Sequence, residues 1–530
     1  MPMRQLSGRE AGVLGADTPR ANANISLLHI FDQATVAGGV VRFKSILAHI
    51  ERRLHRVPLL RQRLQRVPLG LDRPYWVDDA QFDLEYHVRH IALPKPGDWR
   101  QCCIQVARIH ARALDFDRPP WEAYVIEGLD SFLHLAPGSF ALLLKTHHAA
   151  VDLQQLSQIS ALLLADDANP PPDAPPAPWF ADSAPGRVAL LGRGLTQAVS
   201  QTLAQPAATP LRLARPLLAA LRQAAPAAIN TAINTASNMA SDWLLRPAPQ
   251  VVTRFNSVVS PHRVFETHRF TEAEFAAICA LVPGATLDDA VAAVCGGALR
   301  RYLAAQGELP THQSLVAAQL LLADDAAHAA AHTPAHTASH TPAPAWRRVA
   351  LGTHMADPLQ RLQALHAQAS TLLAPAQPPP WRSRLAGRAS ALLGPPAPAA
   401  HCSLTALPAP GVPLYLCGAR MSYFSALLPI TDGLGLAFAV TRYDGRVLIS
   451  ATACRELLPD PETFALCLRD SFQDCLAAAQ AAAQAAALTA APRRGSARGR
   501  PSRASPPAGK AASRSRPGPA GRPARPAPSG

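Results

Sequence analysis

Apolar positions follow two different spacings along this chain. Ile46, Leu47, Ile50 and Leu54 recur at helical spacing, which predicts a helix that Val57-Pro58 stops. Leu71-Asp72-Arg73-Pro74-Tyr75-Trp76-Val77-Asp78-Asp79 and Phe82-Asp83-Leu84-Glu85-Tyr86-His87-Val88-Arg89-His90 are rich in aromatic and β-branched residues, so strands and loops are expected there. A second helix is expected over 99–114. After Gly138 the run Phe140-Ala141-Leu142-Leu143-Leu144 is apolar without alternation, as in a strand buried on both faces, and it ends at Lys145-Thr146. Helical spacing returns at Leu153, Leu156, Ile159, Leu162 and Leu163. The segment between them, His147-His148-Ala149-Ala150-Val151-Asp152, therefore lies at a strand-to-helix junction. In the second half helices are expected over 272–281 and 287–304. Two alternating runs, Leu434 to Val440 and Val447 to Ala451, flank Tyr443-Asp444-Gly445-Arg446, and the Asp-Gly pair predicts a hairpin.

Length and composition then set the organisation. The chain has 530 residues, room for two sizeable cores, and its 48% hydrophobic content excludes a disordered polymer. Its 52 prolines gather in a few segments. Asn169 to Pro178 reads as a semi-rigid spacer. From there to about 250, Ala/Leu/Arg helices are broken at Pro206, Pro210, Pro216 and Pro226. The expected division is an N-terminal domain over 1–168, a Pro/Ala-rich helical linker over 169–250, a C-terminal domain over 251–490 and a tail over 491–530. The net charge of +14 is placed unevenly: residues 493–530 hold ten Lys/Arg and no acid, which leaves +4 for the rest. Such a tail, steeped in Pro, Ala, Gly and Ser, cannot bury apolar surface and is expected to be disordered. The near-neutral body argues against a nucleic-acid partner; anionic lipid would suit the tail.

Residues 323–346 form a low-complexity insert in which His328, His332, His336 and His340 recur every four positions, but Pro334 and Pro342 break the helix a shared metal-binding face would need. Nine cysteines without a CxxC pair suit neither a disulfide framework nor a structural zinc site, and point to a reducing cytoplasm. No run reaches the ~18 apolar residues of a membrane-spanning helix, so membrane contact is expected to be peripheral.

The nucleophile elbow, the phosphate-binding loops and HExxH are missing from the sequence. What remains is His147-His148-x-x-x-Asp152. An imidazole titrates near neutrality and can take a proton from a hydroxyl while that oxygen attacks a carbonyl; a nearby carboxylate can fix its surroundings. The same residues also fit a structural histidine pair with Asp152 capping the next helix, Gln155 completing a capping box.

This motif resembles the HHxxxDG motif of the bacterial wax ester synthase/diacylglycerol acyltransferase family, relatives of chloramphenicol acetyltransferase and of condensation domains. The resemblance extends upstream through Val57-Pro58-Leu59-Leu60-Arg61, Trp76-Val77-Asp78-Asp79, Phe82 to Arg89 and Arg118-Pro119-Pro120-Trp121-Glu122. Downstream it runs through Thr253-Arg254-Phe255-Asn256, Ala285 to Ala290, Gly297 to Leu303, Pro413 to Ala419 and Leu458-Pro459-Asp460, about 470 residues in all. It implies an α/β fold of two chloramphenicol-acetyltransferase-like domains, mixed sheets flanked by helices, with a tunnel between them where acyl-CoA meets diacylglycerol or a fatty alcohol. It implies His148 as general base, His147 as its support, Asp152 as the holder of the motif through an ion pair, and Trp121, Asp288 and Asp289 at the substrate. Neither a metal nor a cofactor besides the co-substrate is implied, and the protein would work at the cytoplasmic face of a membrane or at lipid inclusions.

Four features depart from the family pattern. Leu153 stands where the motif has glycine, and a leucine lacks glycine's access to positive φ. Asp288 replaces an asparagine. The block at Leu404 to Gly411 and the one near 320 are altered. These departures keep two alternatives in view: a catalytically impaired member that binds lipid or coats inclusions, and an acyltransferase for a different acceptor.

Overall fold

In the chain's computed structural model, described for residues 3–36, 38–131, 135–136, 138–171, 178–204, 251–321, 345–371, 400–408 and 410–490, helices begin where a side chain satisfies their orphan N–H groups. Ser7 caps α1 (Gly8–Ala16), Asp98 caps α4 (Trp99–Ala111) and Asp152 caps α5 (Leu153–Leu163), each with a reciprocal bond from the residue three positions on. The helix expected before Val57-Pro58 is α2 (Phe43–Arg53), extended by one 3-10 turn over Leu54–Arg56, and α3 is the single turn Leu84–His87. The helix predicted over 99–114 stops at Ala111. Within the predicted linker α6 covers Arg187–Ala204; residues 172–177 and 205–250 of that linker, the histidine-rich insert apart from its last two positions, and the basic tail lie outside the described residues.

The strands of the first half are β1 (Arg4–Gln5), β2 (Asn24–Asp32), β3 (Gln62–Gln65), β4 (Tyr75–Asp78), β5 (Val88–Ala92), β6 (Trp121–Leu129) and β7 (Ser139–His147). Those of the second are β8 (Arg263–Thr271), β9 (Val316–Leu321), β10 (Ala345–Ala350), β11 (Cys402–Ala406), β12 (Tyr415–Leu416), β13 (Ala419–Leu427), β14 (Leu436–Tyr443) and β15 (Arg446–Cys454). They build two six-stranded mixed sheets, ordered β12-β13-β2-β7-β6-β5 and β10-β9-β11-β14-β15-β8, and a small sheet β1-β4-β3. The second sheet carries α7 (Glu272–Cys279), α8 (Leu287–Ala305) and α9 (Pro358–Thr371), and the last helix, α10, runs Pro461–Ala490. The expected hairpin is present: Asp444 and Gly445, both at positive φ, turn β14 into β15.

The division at 168 and 251 does not anticipate one feature. β12 and β13 come from the second half of the chain yet extend the first sheet, β13 pairing with β2 from Arg420 opposite Asp32 to Leu427 opposite Ser26. A second link joins α4 to β8, where the indole N–H of Trp99 and the backbone N–H of Thr267 both donate to Oε1 of Glu266. Burial holds the Glu266 carboxyl above its usual range, against these donors. Trp99→Phe should strip the buried acceptor of its indole donor, leaving the Cys103 thiol and the Thr267 N–H, and destabilise the fold by about 1–3 kcal/mol. Thermal melting of the full chain checks this; an unchanged midpoint would contradict it.

All nine cysteines are free thiols. Among the described residues no helix is long and apolar enough to cross a membrane.

Candidate active site

The histidine pair is delivered by the best-buried strand of the first sheet. All nine residues of β7 are buried, and His147 ends it opposite Asn24 of β2. The strand thus runs two residues beyond Lys145, the point where the apolar run ends in sequence. The chain then turns: Ala150 and Val151 N–H both return to the His147 carbonyl, at 2.9 and 3.1 Å, while His148 N–H donates to the Ala23 carbonyl at 2.8 Å. Four residues after His148, Asp152 caps the start of α5. The tight turn between a fixed strand end and a capped helix leaves the two imidazoles little freedom.

The two rings are in different states. His147, 1% exposed, has both nitrogens engaged: Nε2 lies 2.8 Å from Oδ2 of Asp17, and Nδ1 lies 3.2 Å from the Ala149 N–H. Phe116 meets its ring edge-on at 4.8 Å. His148 is half-buried, and its Nδ1 is enclosed with no hydrogen-bond partner among the described residues. Burial, reinforced by the charge of Arg9 and opposed by Asp152, pulls its pKa down to about 4. At neutral pH this ring is an uncharged base with an uncommitted nitrogen.

Asp152 caps rather than pairs. Its Oδ1 accepts from Gln155 N–H at 2.8 Å, its own N–H donates to Gln155 Oε1 at 3.1 Å, and among the described residues it forms no ion pair, so the ion pair implied by the family resemblance is replaced by a capping box. A capped helix start still fixes the turn that carries His148. At Leu153 the backbone requires no positive φ where the motif has glycine. The residue occupies the first helical position of α5, with its side chain in the main hydrophobic core.

The residues expected at the substrate are placed elsewhere. Trp121 is 2% exposed, stacks on His87 with ring centroids 4.6 Å apart and donates its indole N–H to the Leu60 carbonyl. It is a core residue, one strand away from the histidines through its pairing with Thr146. Asp288 and Asp289 open α8 in the second sheet's helical layer. Asp289 closes a capping box with Thr286 and meets His366 at 3.1 Å, whereas Asp288 accepts from Gln319, which in turn accepts from Arg347. These two aspartates border a cavity of only about 10 Å³, room for one water. Among the described residues Asp289 shares no partner with the histidine pair. A larger cavity, about 620 Å³, is lined by α2, residues 165–170 and Cys417-Gly418. It lies at the far end of the first sheet, beside the end of β2 that pairs with Arg420, so roughly 25 Å of strand separates it from His147.

Sequence reading missed three groups. Asp17, at the end of α1, holds His147. Arg9, on the same helix, places its charge toward His148. Lys145 is fully buried two residues before His147, donates to the Arg112 carbonyl at 2.6 Å and lies 3.4 Å from Glu122; burial lowers its pKa to about 8. Lys145 closing an apolar run was the one visible signal. Asp17 sits 130 positions from its partner and had none.

Residues 6–291 match the wax ester synthase/diacylglycerol acyltransferase catalytic domain, and residues 346–475 the WS/DGAT C-terminal domain. A Mycobacterium tuberculosis (strain ATCC 25618 / H37Rv) protein bearing the name "Putative diacyglycerol O-acyltransferase" is 33% identical over 435 residues, covering 76% of this chain and 83% of its own length. Another of that name, from strain CDC 1551 / Oshkosh, is 29% identical over 475 residues, 86% of this chain and 87% of its own. The solved wax ester synthase/diacylglycerol acyltransferase from Marinobacter aquaeolei VT8 shares the fold, with a TM-score of 0.61 at 21% identity, over 90% of this chain and all of that one.

Proposed function

Since this chain belongs to the wax ester synthase/diacylglycerol acyltransferase family and is therefore an acyltransferase, we propose that it moves a fatty acyl group from acyl-CoA to the hydroxyl of diacylglycerol or a long-chain alcohol, with His148 as general base. The observation that carries the reading is the contrast within the pair. His147 has both ring nitrogens committed, and His148 keeps an enclosed Nδ1 with nothing bonded to it in a ring held neutral by burial. With Nδ1 shut away from any partner, the ring takes the acceptor's hydroxyl proton on its other nitrogen, Nε2, which is not enclosed, as the oxygen attacks the thioester carbonyl. The C–S bond of the resulting tetrahedral species then breaks, the imidazolium returns the proton to the sulfur, and the ester and free CoA thiol leave. Triacylglycerol or a wax ester is the product.

The location of the roomy cavity, at the opposite end of the sheet from His148, favours a second reading in which the chain binds lipid without turnover. Full-length protein incubated with palmitoyl-CoA and either dioleoylglycerol or hexadecanol separates the two. Thiol release that requires the acceptor is expected, with triacylglycerol or palmityl palmitate appearing in equal amount. Acceptor-independent release at the rate of a His148→Ala variant would reject the transferase reading and leave the lipid-binding one. An amine that outcompetes both alcohols would move the activity to a different acceptor class.

A further inference from the structure

The residue that holds the histidine pair in place comes from outside the motif. Asp17 follows α1, a helix anchored by the β1–β4 pairing before it and by its Ser7–Glu10 capping box. Ala11 and Leu14 of α1 and Ala150 of the motif all pack against the cluster formed by Leu6, Leu64 and Trp76. The N-terminal arm thus lies over the turn that carries the histidines.

Asp17 makes two contacts there. Oδ2 lies 2.8 Å from Nε2 of His147, and Oδ1 accepts the Ala23 N–H at 2.9 Å. The carbonyl of the same residue, Ala23, accepts the His148 N–H at 2.8 Å. The proton positions follow from the donors. Because the Ala149 N–H points at Nδ1 of His147, that nitrogen carries the lone pair and the ring proton sits on Nε2, donated to Asp17. One carboxylate therefore receives two N–H donors, one from the ring of His147 and one from the strand start that tethers the backbone of His148. Only a carboxylate can do this. An asparagine offers one acceptor oxygen, and its amide group would face either the Ala23 N–H or the ring N–H, donor against donor.

We propose that Asp17 is the positioning residue of this site, fixing the His147 tautomer with one oxygen and, through Ala23, the place of the His148 backbone with the other. The inference rests on the assignment of His148 as the base, and it names a residue that acts through the pair without touching substrate.

The test compares full-length Asp17→Asn, Asp17→Glu and His148→Ala in the acyl-CoA thiol assay, together with ring nitrogen-15 spectra of histidine-labelled protein, His147 being assigned by its loss in His147→Gln. Asp17→Asn should lower kcat roughly 10- to 100-fold with KM for acyl-CoA within about two-fold, the range seen when groups that orient another ligand or base are removed. Asp17→Glu, which keeps two acceptor oxygens, should recover most of that loss. The His147 ring should change from an Nε2–H to an altered protonation pattern in the asparagine variant alone. Wild-type kcat in Asp17→Asn, no better activity in Asp17→Glu, or an unchanged His147 spectrum would each overturn the proposal. If His148→Ala retains wild-type activity, the base assignment fails instead. The nitrogen-15 spectra report the Asp17–His147 link whether or not the protein turns over.

Discussion

Replacing His148 with alanine is expected to reduce acyl transfer by about 10³-fold while leaving the melting midpoint within a few degrees of wild type. General-base catalysis by one positioned side chain is worth roughly 10²–10⁴-fold. The His148 ring contributes little packing that alanine would lose, being half-buried with an unbonded nitrogen. His148→Gln keeps a polar group of similar reach without a proton-accepting nitrogen, and should be equally inactive; activity in the glutamine variant would point to hydrogen bonding in place of proton transfer. The pH dependence carries a second check. With its pKa at about 4 the base is unprotonated through the neutral range, so kcat should be flat between about pH 6 and 8 as far as His148 is concerned and should fall only when the ring protonates. Stability moves earlier. His29, His110 and His148 all have folded pKa values below the ordinary 6.5, at about 4, 3 and 4, with burial as the leading cause. Below pH 6.5 the unfolded chain binds protons that these buried rings refuse, so stability is complete above 6.5 and declines as the pH falls toward 4. Activity lost between pH 6 and 5 should therefore return on rapid transfer to pH 7 at low temperature, and protein unfolded by acid should show the same slope without substrate.

What could be read in the sequence followed locality. α5 follows its apolar spacing at Leu153, Leu156, Ile159 and Leu163, with Leu162 exposed and Ser160 buried, because its signals, Asp152, Gln155 and the Leu/Ile stripe, lie within one helix. The hairpin is equally legible, since Asp444-Gly445 marks its own turn. β2, the central strand that holds β7 on one side and β13 on the other, gave no such signal. Its residues Asn24 to Phe31 are buried almost throughout, and apart from the buried polar groups Asn24, Ser26 and His29 the run lacks the alternation that marks a half-exposed strand. The transfer of β13 into the first sheet is a pairing across some 390 positions, which no local pattern encodes. The site divides the same way. His147, His148 and Asp152 are found from their spacing, whereas the contacts of Asp17, 130 positions away, and the sealed environment of Trp121 depend on which distant segment covers them. The family resemblance alone places Trp121 at the substrate, and the structure makes it a core tryptophan, with its indole N–H spent on Leu60 and its face on His87.

A single methyl group at Gly296 is expected to do more damage to the fold than any surface change, although helix propensity alone predicts the opposite. Glycine in a helix interior costs about 1 kcal/mol relative to alanine, so Gly296→Ala in the middle of α8 would stabilise an isolated helix by that amount. In the folded chain the new Cβ would stand 2.1 Å from the carbonyl oxygen of Leu351 and 3.1 Å from its carbonyl carbon. Backbone cannot rotate out of the way as a side chain can, and this backbone is fixed, because Leu351 is fully buried and donates its N–H to the Leu315 carbonyl at 2.8 Å. α8 or the chain at Leu351 must shift by about an ångström in a close-packed core, which costs about 3 kcal/mol or more and overwhelms the propensity gain. The neighbouring Gly297 faces Ser471 and Arg361, both buried, so the helix cannot escape by rotating that way. Gly192→Ala in α6 supplies the comparison: among the described residues nothing lies within 4 Å of its Cβ, and the propensity term should act alone, raising or preserving stability. Melting of the two variants should thus move in opposite directions. Because Asp288 and Asp289 lie in the first turn of α8, displacement of the helix should also disturb the Asp289–His366 contact. If Gly296→Ala melts at or above the wild-type temperature, the close approach of α8 to Leu351 is not present in solution.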